Sequence, residues 1–193
     1  MKNEQTKYPT RDVWLTVAVG LLNNDVFDTA GIERLNANWR ISCSWPGGGS
    51  ARKRVGECWP SGSSNDKTRE MFISPIEDDA IEVLSIVAHE MIHAIDDCKH
   101  GHRGPFRKMA LAIGLEGKMT ATTSGPELTK KLKIIADILG PYPHAKLNLN
   151  DRKKQTTRMI KMTCNNCGFI ARASKTAIEQ AGYPICGCGN KMN

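Results

Sequence analysis

The chain has no long hydrophobic run. Its first apolar stretch, 13–22, spans ten residues, about half of the ~20 that a membrane-spanning helix needs, so it reads as a buried helix. Nor is a secretory leader expected. The opening "MKNEQTKYPTRD" is polar and lacks the apolar centre of a signal peptide. These two absences give the expectation of a soluble, cytoplasmic protein. There are no internal repeats, and no low-complexity tract beyond the glycines of "PGGGS". Wholesale disorder is excluded, because 40% of the 193 residues are hydrophobic and can bury a core. That length suits one domain, or one domain with a small appendage.

The cysteines are not arranged as a disulfide framework. Four of the seven crowd into the last thirty residues, as Cys164, Cys167, Cys186 and Cys188. In a cytosolic chain such crowding points to metal. Cys164-x2-Cys167 and Cys186-x-Cys188 would close a tetrahedral zinc site with no open position, which makes it structural. Gly168 and Gly189 suit the tight turns of such knuckles. A tail this short has little core of its own, so metal binding would supply much of its folding free energy. Cys43, Cys58 and Cys98 show no grouping and read as buried thiols.

Periodicity places the remaining elements. Val13, Trp14, Val17, Ala18, Leu21 and Leu22 fall at helical spacing over 10–22, with Thr10 as N-cap and Asn23-Asn24 as the end. "NWRISCSW" alternates, with Trp39, Ile41, Cys43 and Trp45 on one face. "RVGECW" and "REMFIS" read as two more strands, and a three-stranded antiparallel sheet is the simplest arrangement. Ser74-Pro75-Ile76-Glu77 looks like a capping box with proline at the first helical position, which predicts a helix over 75–97. Ala80, Ile81, Leu84, Val87, Ala88, Met91, Ile92 and Ile95 share one arc of it, and His89 and His93 fall roughly opposite. "PFRKMALAIGL" and "GPELTKKLKIIADILG" supply two further helices, and "PYPHAKLNLNDRKKQTTR" reads as a linker.

The chemistry sits in "HEMIHAIDDCKHGHRGPF". Histidines four apart on a helix lie one turn above each other, so His89 and His93 can reach one ion. Zn²⁺ suits two imidazoles and leaves positions for a third ligand and a water, whose pKa falls towards ~7. Glu90 is then placed to take that proton and pass it to a leaving amine. This is the H-E-x-x-H logic of a metallohydrolase. For the third ligand, Asp96 and Lys99 stand where a metzincin needs glycine and histidine. Glu116, His100 and His102 remain as candidates. Asp97, four residues after His93, is either an orienting partner for an imidazole or an ordinary acidic residue near a helix end.

"HEMIH…GHRGPF" resembles the SprT-like/Spartan family of zinc metallopeptidases, of actinobacterial and phage type. So do "GECW", "FISP", "ALAIGLEGKMTAT" and "LGPYPHAKL", and the likeness runs over most of 10–190. The resemblance implies an α+β fold: a zincin-like domain over 1–145, with a small antiparallel sheet and the H-E-x-x-H helix, a basic linker over 146–158 and a zinc ribbon over 159–193. It also implies that His102, four residues before Phe106, is the third ligand of the catalytic zinc, with His100 as a turn residue or an indirect partner. Arg103 departs from the family form, in which glycine directly follows that histidine. The implied activity is hydrolysis of protein substrates, including proteins bound to DNA.

A formal net charge of +7 is compatible with an acidic partner. The cations that would meet nucleic acid are Arg152, Lys153, Lys154, Arg158 and Lys161 along the linker, and Arg172 and Lys175 in the ribbon. A different class of function, a non-catalytic zinc-binding adaptor or regulator on nucleic acid, uses the same cations. Intact Glu90 argues against it.

Overall fold

Thr10 starts the first helix by accepting a hydrogen bond from the Val13 amide at 3.3 Å, satisfying one of the free N–H groups of a helix start. In this computed structural model, which describes residues 6–36, 38–47, 54–151 and 158–193, that helix is α1, Arg11–Leu22. The α-helix ends there as expected, with Asn23 as its C-cap, but the chain does not straighten. The chain winds on through a π-helical turn, Asn23–Phe27, and a 3₁₀ turn, Asp28–Ala30, before Gly31 takes the left-handed conformation. The reason is burial: Val26 and Phe27 are both fully inside. Asn23, the C-cap of α1, also clamps the backbone of Leu35 through both side-chain atoms.

Three strands follow: β1, Trp39–Cys43, β2, Gly56–Trp59, and β3, Arg69–Ile73. Their order is β1-β3-β2, and β1 runs parallel to β3 while β2 is antiparallel to it. The antiparallel sheet expected from the sequence is therefore corrected to a mixed one. The Asp12 carboxylate of α1 accepts from the Cys43 amide at 2.8 Å, holding β1 on the far side of β3. β2 is left as an edge strand. Ile41 and Cys43 face inward as expected, but Trp45 lies beyond the strand and is exposed.

The central helix α2, Ala80–Ile95, begins five residues later than the sequence suggested. Asp79 caps it, accepting from the Ile81 and Glu82 amides at 3.0 Å each. Ser74 and Pro75 belong to the preceding turn. The helix packs on β2, β3, α1 and α4, and its burial is wider than one arc: Val83, Glu90, His93 and Ala94 are inside along with Leu84, Val87, Ala88, Met91 and Ile92. After a turn comes α3, Pro105–Ile113, with proline at its first turn and left-handed Gly114 as its stop. The hairpin β4–β5, Leu115–Lys118 with Ala121–Ser124, is followed by α4, Pro126–Leu139.

Residues 141–147, expected as linker, belong to this first unit. Tyr142 is buried edge-on against Trp14, with ring centroids 4.9 Å apart. The Arg11 guanidinium donates to His144 Nδ1 at 3.0 Å, so His144 Nε2–H donates to the Pro75 carbonyl at 2.9 Å. The chain divides into compact units at 1–148 and 149–193. The second unit has an antiparallel pair β6–β7, Ile160–Thr163 with Ile170–Ala173, and a short helix α5, Lys175–Ala181. Its core is small: Met162, Met192, Cys164 and Cys186. The protein is thus a mixed α+β chain with small sheets and, among the described residues, five α-helices. No described helix is long and apolar enough to cross a membrane.

Candidate metal centres

α2 presents His89 and His93 one turn apart, and the turn before α3 brings in His102. His102 Nε2 lies 3.2 Å from His89 Nε2 and 3.2 Å from His93 Nε2. The ligand atoms of the three all fall within 4.8 Å of one another, a group able to hold a metal ion. His100 is outside it, exposed and paired with Asp96 at 3.2 Å, and Glu116 sits exposed on β4. Phe106, fully buried, is the floor of the site. Its ring stacks on His93 at 4.4 Å and meets His89 and His102 edge-on at 4.9 and 5.0 Å.

Charge as well as shape suits a cation. Burial, then the neighbouring rings of His93 and His102, push His89 down to about 3. Burial, then His102, push His93 down to about 4, and burial also lowers His102. At neutral pH all three are uncharged imidazoles with a lone pair to give.

Glu90 lies beside this group, 5% exposed. Burial first, then the charges of Cys98 and Glu57, push its carboxyl up to about 8, with Arg54 opposing. A dication nearby acts the other way and favours the carboxylate. The carboxylate fits because residue 56 is glycine. A Cβ there would stand 2.5 Å from Glu90 Oε1 and 2.7 Å from Ile86 Cγ2. His89, Glu90, His93 and His102 line one cleft of about 720 Å³, walled by Val55 and the first three residues of β2, Gly56 to Cys58, on one side and by 120–123 of the hairpin on the other.

Asp97 does not orient an imidazole. Its carboxylate accepts from the Ser61 amide at 2.8 Å and from the Ser61 hydroxyl at 3.1 Å, tying the turn after α2 to the β2–β3 connection. Cys58 and Cys98, expected as buried thiols, are half-buried in the cleft wall. Cys98 Sγ donates to the Cys58 carbonyl at 3.6 Å. Their thiols also interact, which raises Cys58 and lowers Cys98. Cys43 is buried, as expected.

Sequence reading missed Gly56 and Thr122. His89 Nδ1 lies 2.8 Å from Thr122 Oγ1, a contact across 33 positions that no local pattern announces. Phe106 was visible only as a spacing marker.

The second group comprises Cys164, Cys167, Cys186 and Cys188, whose sulfurs also fall within 4.8 Å of one another. Cys164 and Cys188 are 3.5 Å apart, and Cys167 and Cys186 3.4 Å. The Asn166 and Asn190 side chains, with the Asn190 amide, hold the Cys188 thiol down at about 5, so a thiolate is ready for a cation. Of the cations expected to meet nucleic acid, Lys161 and Arg172 are directly cross-strand partners on β6 and β7, both exposed. Arg158 is exposed too, and Lys175 pairs with Glu179 at 3.5 Å. Arg152, Lys153 and Lys154 lie outside the described residues. No protein-family model, no curated protein and no solved structure matches the chain.

Proposed function

We propose that the chain is a zinc-dependent endopeptidase of the SprT-like type, with a zincin-like catalytic unit and a C-terminal zinc ribbon, acting on proteins associated with DNA. One observation carries the reading: a buried carboxylate, Glu90, shares a cleft with three neutral imidazoles. Three histidines are a donor set found at catalytic zinc, and four cysteines one found at structural zinc. In this reading His89, His93 and His102 hold the catalytic ion, and Cys164, Cys167, Cys186 and Cys188 the structural one. When bound, catalytic Zn²⁺ supplies Lewis acidity and brings the pKa of a water to ~7.

The rest is done by the chain. Glu90 takes a proton from the attacking water and returns it to the leaving amine. Gly56 leaves room for that carboxylate at the cleft wall. The edge of β2, left unpaired among the described residues, aligns an extended peptide by strand addition, so the substrate segment must be one that can unfold into the cleft. Phe106 keeps the three rings in place.

A second reading, a non-catalytic metal-binding adaptor on nucleic acid, draws on the ribbon. Lys161 and Arg172 sit side by side with no ion-pair partner among the described residues. Like charges directly opposite destabilise a sheet, and a phosphate backbone would relieve them.

One experiment separates the readings. A basic DNA-binding protein is incubated with wild type or Glu90→Gln, with and without single- and double-stranded DNA, and self-cleavage is followed on the same gel. Cleavage that needs Glu90 and rises with DNA is the expected result. DNA binding without any Glu90-dependent cut would move the assignment to the adaptor.

A further inference from the structure

The hairpin wall of the cleft does more than enclose it. We infer that Thr122 is the positioning residue of the histidine site, its hydroxyl oxygen accepting the His89 Nδ1 proton and so fixing which nitrogen of His89 faces the metal position. The inference rests on the metallopeptidase reading.

The Nε2 atoms of His89, His93 and His102 converge within contact distance of each other, so Nε2 is the donor atom on each. An imidazole that offers Nε2 as a lone pair carries its proton on Nδ1, and that N–H needs an acceptor. At 2.8 Å, Thr122 Oγ1 is the acceptor for His89. Among the described residues, His89 is the one histidine of the three whose Nδ1 has a hydrogen-bond partner. His93 stacks on Phe106, whereas His89 and His102 meet that ring by their edges. An edge contact sets the position of the His89 ring, and the hydrogen bond from Nδ1 to Thr122 sets which nitrogen points at the metal position.

The acceptor is carried by built structure. Thr122 pairs with Gly117 across the hairpin. Leu115, at the start of β4, is fully buried. The base is closed by the Gly125 amide donating to the Gly114 carbonyl at 2.9 Å. The Ser124 and Thr129 hydroxyls, 2.8 Å apart, tie the end of β5 to α4. Threonine is also stiff at χ1, so its hydroxyl is aimed.

The kind of acceptor matters. Metal-bound histidines commonly hand their second proton towards a carboxylate, which raises the basicity of the ligand. A hydroxyl orients the ring without adding negative charge. Three neutral histidines and a neutral acceptor leave the charge of a bound dication largely uncompensated by its ligands.

The test uses the full chain as wild type, Thr122→Val, Thr122→Ala and Thr122→Ser. Zn²⁺ affinity is measured by competition with a chromophoric chelator. The Co²⁺ absorption spectrum separates the nitrogen-held site from the thiolate-held one, which carries sulfur-to-metal charge-transfer bands. Circular dichroism of the metal-free variants confirms the fold. Valine and alanine should each weaken the histidine site about 10- to 100-fold while serine restores it to within about threefold, as expected for a partner that orients a ligand. The thiolate site should not change in any variant. Valine and alanine variants that bind at the histidine site as tightly as wild type would overturn the inference. A wild type whose histidine site takes up neither Zn²⁺ nor Co²⁺ would instead overturn the metallopeptidase reading beneath it.

Discussion

Glu90 is held where a carboxylate is least comfortable, and that discomfort can be measured. Its carboxyl is pushed from 4.5 to about 8, chiefly by burial. Between those values the folded chain keeps a proton that the unfolded chain has released, so folding stability falls as pH rises through the window. The stabilising contribution of the protonated group is complete below 4.5 and gone above about 8. Glu90→Gln keeps the shape without the titration. Metal-free Glu90→Gln should therefore match metal-free wild type at pH about 4 and exceed it at pH about 9, by up to about 1.4 kcal/mol for each pH unit inside the window. Urea midpoints of the two proteins across that range check this, and a constant difference would mean that the carboxyl titrates normally. The same residue gives a kinetic prediction through its neighbour. Gly56→Ala brings a methyl to 2.5 Å from Glu90 Oε1, so the carboxylate or Ile86 must move. Since a displacement of about 1 Å at a reacting group can cost about 100-fold, kcat should fall by about that factor while zinc binding persists. A kcat within about threefold of wild type would show that the site tolerates the shift.

At the scale of elements, the start of α2 decides between two readings of the same stretch. Ser74 looks like a cap in sequence, but its hydroxyl is buried with no hydrogen-bond partner among the described residues, whereas Asp79 receives two amides. Asp79→Ala should lower stability by about 1 kcal/mol, in the range of about 0.5–2 for a lost cap. Ser74→Ala should be neutral or stabilising, because it removes a polar group that burial penalises. Thermal or urea unfolding of both variants tests the pair, and the reverse order of effects would return the cap to Ser74. The contrast also marks what could be read from sequence. Periodicity alone places α1, α3, α4 and the body of α2, and the His89–Glu90–His93 constellation is local to one helix, so it is legible in full. The parallel pairing of β1 with β3 is not, because the two strands are joined only through a long excursion containing β2. The β4–β5 hairpin escapes for another reason: its residues are mostly exposed, and "LEGKMTATTS" shows no clean inside–outside alternation. With the hairpin goes Thr122, whose link to His89 exists only in the folded chain.

The molecule as a whole is two units with different sources of stability, and this makes metal removal selective. The first unit has a continuous apolar core from Trp14 to Tyr142, including Phe27, Met71, Ile92 and Leu132, which does not depend on a cation. The second buries two methionines and two of its own cysteines. Small domains of that kind draw about 10–16 kcal/mol from a structural zinc, and no comparable apolar burial is present to replace it. Cys186→Ser takes away one of four thiolates and leaves the group unable to close around an ion. Zinc content should fall from about two per chain, one for each group, to about one. Hydrogen exchange should show Met162 and Thr163 losing protection while Leu84 and Ile92 keep theirs. Cleavage of a peptide that does not involve DNA should continue, because every residue placed in that chemistry belongs to the first unit. A chelator strong enough to strip both ions should unfold the second unit and stop cleavage but leave the α2 amides protected, since the core around them is apolar. If those amides exchanged freely once both ions were gone, the histidine site would be holding the first unit together, and the division between a metal-folded second unit and a core-folded first unit would fail.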